Sequence, residues 1–346
     1  MNPAPPSISS ERSSPITYFQ VAGGCLAAAT AVLLALPYSY GVGTHPYSLA
    51  RLFWTTWTED ENWQHCMFVP IISCVLIYLR RHTLATAPRG NSGWAVVPMV
   101  ISLLLYVIGI QADVFVAGEF AVFLFVLSGF IWLFGWAGFK SVLFPLCFLI
   151  FAIPIPASET LIAFPLRLYM SNMAVQMLNL IGIAAIKVGT AVVSAPNDIT
   201  GLAEGKKFAV DIANPCSGIR SLFALMMVSA LYAWFSVKPA WKQILVFLCS
   251  IPLAVAGNLA RILLLVFGTI MFGSQFAVGT EEHPTWFHLL AGYAVFIVAL
   301  GGLVLIGWIL QSDPFAALRK AKSKAGESAS QPPSPAEPSS ENKDVY

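Results

Sequence analysis

Charge is what this sequence has least of. Only 10% of its 346 residues are Asp, Glu, Lys or Arg, against about 25% in soluble domains. With 57% hydrophobic residues and a mean hydropathy of +0.74, a core cannot hide so much apolar surface, and a water-soluble globule is excluded. An excess of one charge sign is missing too: the net charge of +2 argues against a phosphate-binding nucleic-acid partner. The six cysteines are scattered and show no CxxC spacing, so neither a disulfide framework nor a thiolate metal site is expected. Cys25, Cys66, Cys74, Cys147 and Cys249 read as small buried apolar side chains; Cys216 stands apart. No phosphate loop, nucleotide fingerprint or haem motif occurs, and no cofactor is expected.

What the sequence has in abundance is long apolar runs. A spanning helix needs about 20 mostly apolar residues. Candidates are 18–37, 67–79 extended toward 63, 94–111, 114–135, 139–153, 218–237, 242–262 extended toward 272, and 287–310. The predicted fold is therefore an all-α polytopic membrane protein with about eight transmembrane helices. Residues 157–186 add an interfacial, re-entrant or tilted helix, and 187–212 read as a small β-hairpin outside the membrane. The apolar domain runs over 17–311, between a disordered Pro/Ser-rich tail (1–16) and a basic, then Pro/Ser-rich tail (312–346). Arg80, Arg81, Arg89, Lys140, Lys238, Lys242 and the cluster Arg319–Lys324 fall on one side of the membrane if both termini share it, which makes that side cytoplasmic. Arg167, Arg220 and Arg261 fall on the other side and call for another explanation.

Three polar constellations interrupt the apolar background. In Asn214-Pro-Cys-Ser-Gly-Ile-Arg-Ser221, a thiol sits at a helix start, where free N–H groups lower its pKa. Arg220 adds positive charge one turn on; a capped helix start with Cys216 as filler is the competing reading. In Gly257-Asn-Leu-Ala-Arg261, Arg261 lies in an apolar helix, and its donor fork suits a carboxylate or a developing oxyanion; snorkelling to the interface is the alternative. Asn258 shares its face. The third is Glu281-Glu-His-Pro-Thr-Trp-Phe-His288 with Gly292 one turn further. Here His288, or else His283 in the loop, is a general acid/base candidate beside a structural interface role. By the span count Cys216, Arg261 and His288 share one membrane boundary. Together they suffice for acyl transfer: thiolate nucleophile, imidazole for protons, guanidinium for the oxyanion.

These motifs resemble the exosortase/archaeosortase family of integral-membrane cysteine transpeptidases. NPCSGIRSL, NLAR and HLLAG with Phe296 resemble its Cys, Asn-x-x-Arg and His motifs. DENWQHCMFVPII and FPLCFLIFAIPIP resemble its earlier blocks, and the likeness covers about residues 50–310. Cys66 stands where a Gly is expected. The resemblance implies a bacterial inner-membrane enzyme with its site at the extracytoplasmic face. Its partners would be exported proteins bearing a C-terminal sorting signal: a short Pro-containing motif, a transmembrane helix and a basic tail. It would cut there and pass the protein to an acceptor, polysaccharide or lipid-linked. Cys216, Arg261 and His288 would be catalytic, supported by Ser217, Gly218, Arg220, Asn258 and Gly292.

Other classes predict other features. A transporter needs polar residues at the bilayer midplane and two related halves; Asp113 and Glu119 lie near a span, but no matching halves occur. A membrane thiol acyltransferase shares the nucleophile and differs in substrate. A scaffold has no need of Arg261 and His288 at the depth of Cys216. Asp60, Glu61 and His65 beside Trp63 are metal-ligand types, yet read as a polar, aromatic interface belt.

Overall fold

The computed structural model describes residues 15–39, 47–88, 90, 92–155, 158–196, 203–211, 219–279 and 285–312. Both tails, with the basic cluster after 312, and Arg89 lie outside them. Helix α1 (Pro15–Ala35) leads through an irregular two-stranded pair, β1 (Pro37–Ser39) and β2 (Tyr47–Ser48), into α2 (Leu49–Glu59). A 3-10 turn (Gln64–Met67) precedes α3 (Phe68–Leu79), α4 (Arg81–Thr86), α5 (Val96–Ala112), α6 (Phe115–Ser141) and α7 (Leu143–Phe148). A π-turn (Glu159–Ala163) opens α8 (Phe164–Leu180). Then come β3 (Ala185–Val188), β4 (Ala191–Ser194) and β5 (Ala209–Val210), followed by α9 (Ile219–Ser236), α10 (Ala240–Phe272), α11 (Ser274–Ala277) and α12 (Trp286–Gln311). Five helices are long and apolar enough to cross a membrane, and three shorter apolar helices (Gln64–Leu79, Leu143–Ala152, Arg220–Ser236) join them. The protein is a helical, polytopic membrane protein, as expected.

The differences from the sequence-based spans are local. The stretch 38–66, expected as a loop, contains α2, which is amphipathic and capped by Ser48, whose Oγ accepts from the Arg51 N–H (3.3 Å). At 11 residues it is too short to span, so hydropathy alone misses it. The break expected near 136–138 falls at Gly135, whose non-helical backbone (φ 73°, ψ 173°) divides α6 into two helical segments, the second ending at Ser141. The only positive φ outside glycine among the described residues is Asp113 (54°), which ends α5 and lets α6 double back within two residues. The expected hairpin is a three-stranded antiparallel sheet, β3-β4-β5. Its tight turn falls at Gly189 (φ 63°), between β3 and β4.

Helices α9, α10 and α12 form the bundle that carries the site. Their inner ends meet where the Lys242 ammonium donates to the Leu310 carbonyl and the Tyr232 hydroxyl to Val304 O (3.2 Å). Lys242 to Arg261 spans about 28 Å at 1.5 Å per residue, close to the roughly 30 Å hydrocarbon thickness. Arg261 therefore lies about one hydrocarbon thickness along α10 from Lys242. Beyond it α10 overhangs: Ile262, Leu265 and Val266 are buried against Met170, Ala174 and Leu178 of α8 and Val192, Phe208 and Val210 of the sheet region. Helix α8 thus packs along the part of α10 beyond Arg261.

Candidate active site

Arg261 and His288 come together where α10 meets α12. The Arg261 guanidinium lies flat against Gly292: a Cβ built there would stand 3.2 Å from Arg261 Cζ and 3.3 Å from Nη2. Gly292 is one turn beyond His288, which is buried and interacts electrostatically with Arg261. Gly257 gives α12 a similar approach one turn deeper, since a Cβ on it would stand 3.0 Å from Val295 Cγ1. Any side chain at 292 would push the guanidinium aside, so glycine there keeps the arginine beside the histidine.

The start of α12 is firmly set. Thr285 is its N-cap; its Oγ1 accepts from the His288 N–H (3.2 Å) and its hydroxyl donates to Ala277 O (3.2 Å). Such a cap contributes about 1 kcal/mol and fixes the first turn, which carries His288. Asn258, three residues before Arg261, is also buried. A cavity of about 30 Å³ is lined by Ser221 and Leu225 of α9, Asn258 and Arg261 of α10, and Gly292 and Phe296 of α12. That is the scale of a water molecule, and of a carbonyl oxygen.

Cys216, Ser217 and Gly218 lie outside the described residues, as does His283. The helix that follows Cys216 is placed, and Ser221, five residues on, faces the Arg261 cavity. Ser221 closes the Asn214–Ser221 motif, in which the sequence alone gives it no separate role.

The remaining outer arginines find partners that sequence reasoning did not assign. Arg220 pairs with Glu61. Arg167, only 13% exposed, pairs with Glu159 (2.7 Å), whose other oxygen accepts from Asn62 Nδ2 (3.1 Å). The Asn62 N–H donates to Asp60 Oδ1 (2.9 Å). The 60–65 block therefore makes specific polar contacts within the protein. Trp63 is 4% exposed and packs on Phe223 of α9 (centroids 5.3 Å) and on His65. The block is a hub that braces the start of α9 and the entrance of α8. The signal was present as two acidic residues and two outer arginines in excess of what topology explained, but their pairing depends on which helices are neighbours. Glu119 is also buried, and its Oε2 has no hydrogen-bond partner among the described residues.

Residues 57–305 match the model of a family described as transmembrane exosortase (Exosortase_EpsH). No curated protein and no solved structure matches the chain.

Proposed function

The chain belongs to the transmembrane exosortase family, membrane-embedded sorting transpeptidases and proteases, and we propose that it is a cysteine transpeptidase acting on a C-terminal sorting signal. The substrates are exported proteins ending in a short Pro-containing motif, a transmembrane helix and a basic tail. Cys216 is the nucleophile, His288 the acid/base, and Arg261 the oxyanion or carbonyl-orienting group. Ser217, Gly218, Arg220, Asn258 and Gly292 support them. One observation carries this reading: the Arg261 guanidinium rests on Gly292, one turn from His288, around a carbonyl-sized cavity that Ser221, five residues after Cys216 in the sequence, also lines.

The Cys216 thiol passes its proton to His288 as its sulfur attacks the scissile carbonyl carbon, and the carbonyl π electrons move to oxygen, facing Arg261. Desolvation at this depth raises a lone thiol's pKa, so the neighbouring cation is needed to keep thiolate available. As the tetrahedral adduct collapses, the C–N bond breaks and protonated His288 gives its proton to the leaving nitrogen. A thioester remains. An acceptor amine, hydroxyl or water then loses its proton to His288 as it attacks the thioester, and the thiolate departs. Arg80, Arg81, Lys140 and Lys242 at the opposite end support a cytoplasmic orientation of that end. The reading places the protein in the inner membrane, with its site extracytoplasmic and both termini in the cytoplasm.

The test is processing of a tagged exported protein from the same organism with such a C-terminus, in membranes holding wild-type or Cys216→Ala protein. Wild type should shorten it, and a hydroxylamine-sensitive adduct should form on Cys216. Cys216→Ala should abolish both, and Cys216→Ser should leave little activity. Full processing by Cys216→Ala overturns the mechanism; a lipid on Cys216 with no shortened protein would mark an acyltransferase instead.

A further inference from the structure

A second cavity lies on the other side of the start of α9. It measures about 590 Å³ and is lined by Trp57 and Thr58 of α2, Glu61, Gln64 and His65, Phe68 of α3, and Arg220 and Ala224 of α9. That volume falls within the roughly 300–1,000 Å³ of ligand pockets. Arg220 and Ala224 face this cavity while Ser221 and Leu225 face Arg261; the two pairs stand about 100° apart on the helix. The first two turns of α9 are thus the partition between the cavities, and Cys216 lies four residues before the partition begins.

Packed side chains lie beneath the cavity. One step deeper on its walls, Val69 and Met227 are buried with Phe148 and Ala152, and the Trp57 indole N–H donates to the Ala152 carbonyl (3.1 Å). No helix can continue through that floor. The substrate chain beyond the scissile bond must enter the membrane as a helix, so it cannot occupy this space. The chain before the scissile bond leads to the exported protein and stays outside. The walls suit it: Trp57 and Phe68 offer apolar faces, while Thr58, Gln64 and the exposed Glu61–Arg220 pair supply polar contacts at the rim.

Building on the transpeptidase reading, we propose that this outer cavity binds the few residues of the sorting signal that immediately precede the scissile bond. It would select on side-chain size and set the acyl carbonyl over α9 toward Arg261.

The test uses full-length protein in membranes and a precursor that wild type is first shown to cleave; failure to cleave it would sink the enzyme reading, not this one. p-Benzoylphenylalanine placed at Thr58 or Gln64 of the Cys216→Ala protein should photocross-link to residues just before the scissile bond, mapped by mass spectrometry. Adducts confined to the precursor's transmembrane helix or basic tail, or none at either position, overturn the proposal. Independently, Ala224→Trp should fill the cavity and lower cleavage about tenfold or more at limiting precursor, with recovery as precursor is raised. Alkylation of Cys216 by a membrane-impermeant maleimide should stay at the wild-type rate. Unchanged cleavage by Ala224→Trp at limiting precursor also overturns it.

Discussion

The two sides of the first turns of α9 are built on opposite principles. Toward α10 and α12 the packing is nearly closed: Asn258 and His288 are buried, and glycine brings α12 onto Arg261 with only about 30 Å³ left open. Toward α2 and α3 the surface opens into about 590 Å³, and its one ion pair is exposed, Arg220 by 44% and Glu61 by 66%. Electrostatic stabilisation of a developing charge needs donors that are already in place and shielded from water. Binding a variable stretch of polypeptide needs room and a wettable rim. The contrast separates chemistry from recognition across one helix.

The largest effect should come from the closed side. Arg261→Ala is expected to lower the initial rate of precursor cleavage roughly 10²–10³-fold. Arg261→Lys should recover only a small part, because an ammonium lacks the planar fork. A rate within about threefold of wild type for Arg261→Ala would erase the distinction between the two sides. Next, Gly292→Ala must displace the guanidinium by a few tenths of an ångström, and misplacement on that scale should slow cleavage about three- to tenfold. Gly301→Ala, on the same helix with no atom near its Cβ, should have no effect; equal losses at both would show a generic helix effect.

Stability sharpens the comparison further. Glu159→Gln weakens the partner of the mostly buried Arg167, and should cost about 1–3 kcal/mol, seen as a lower unfolding temperature in detergent. Glu61→Gln breaks an exposed pair and should cost less than about 1 kcal/mol. Should Glu61→Gln destabilise as much as Glu159→Gln, the open rim is a structural joint and not a binding edge.

Apolar runs were enough to indicate the overall helical class and, among the described residues, the five helices long enough to cross a membrane with three shorter apolar ones beside them. Those are properties of length and composition along one chain: about 20 apolar residues at 1.5 Å rise match a bilayer, whatever their neighbours do. The same arithmetic passed over α2, which is amphipathic and short. It left Arg167 and Arg220 without partners, because Glu159 and Glu61 reach them only once α8, α9 and the 60–65 block are neighbours. The seat of Arg261 on Gly292 and the larger cavity beside α9 belong to the tertiary structure alone. A lipid-facing helix gains little from turning one apolar face or another toward its neighbour, so hydropathy does not specify its rotation. Close packing at glycine and buried polar contacts decide that rotation, and with it which side chains share a cavity.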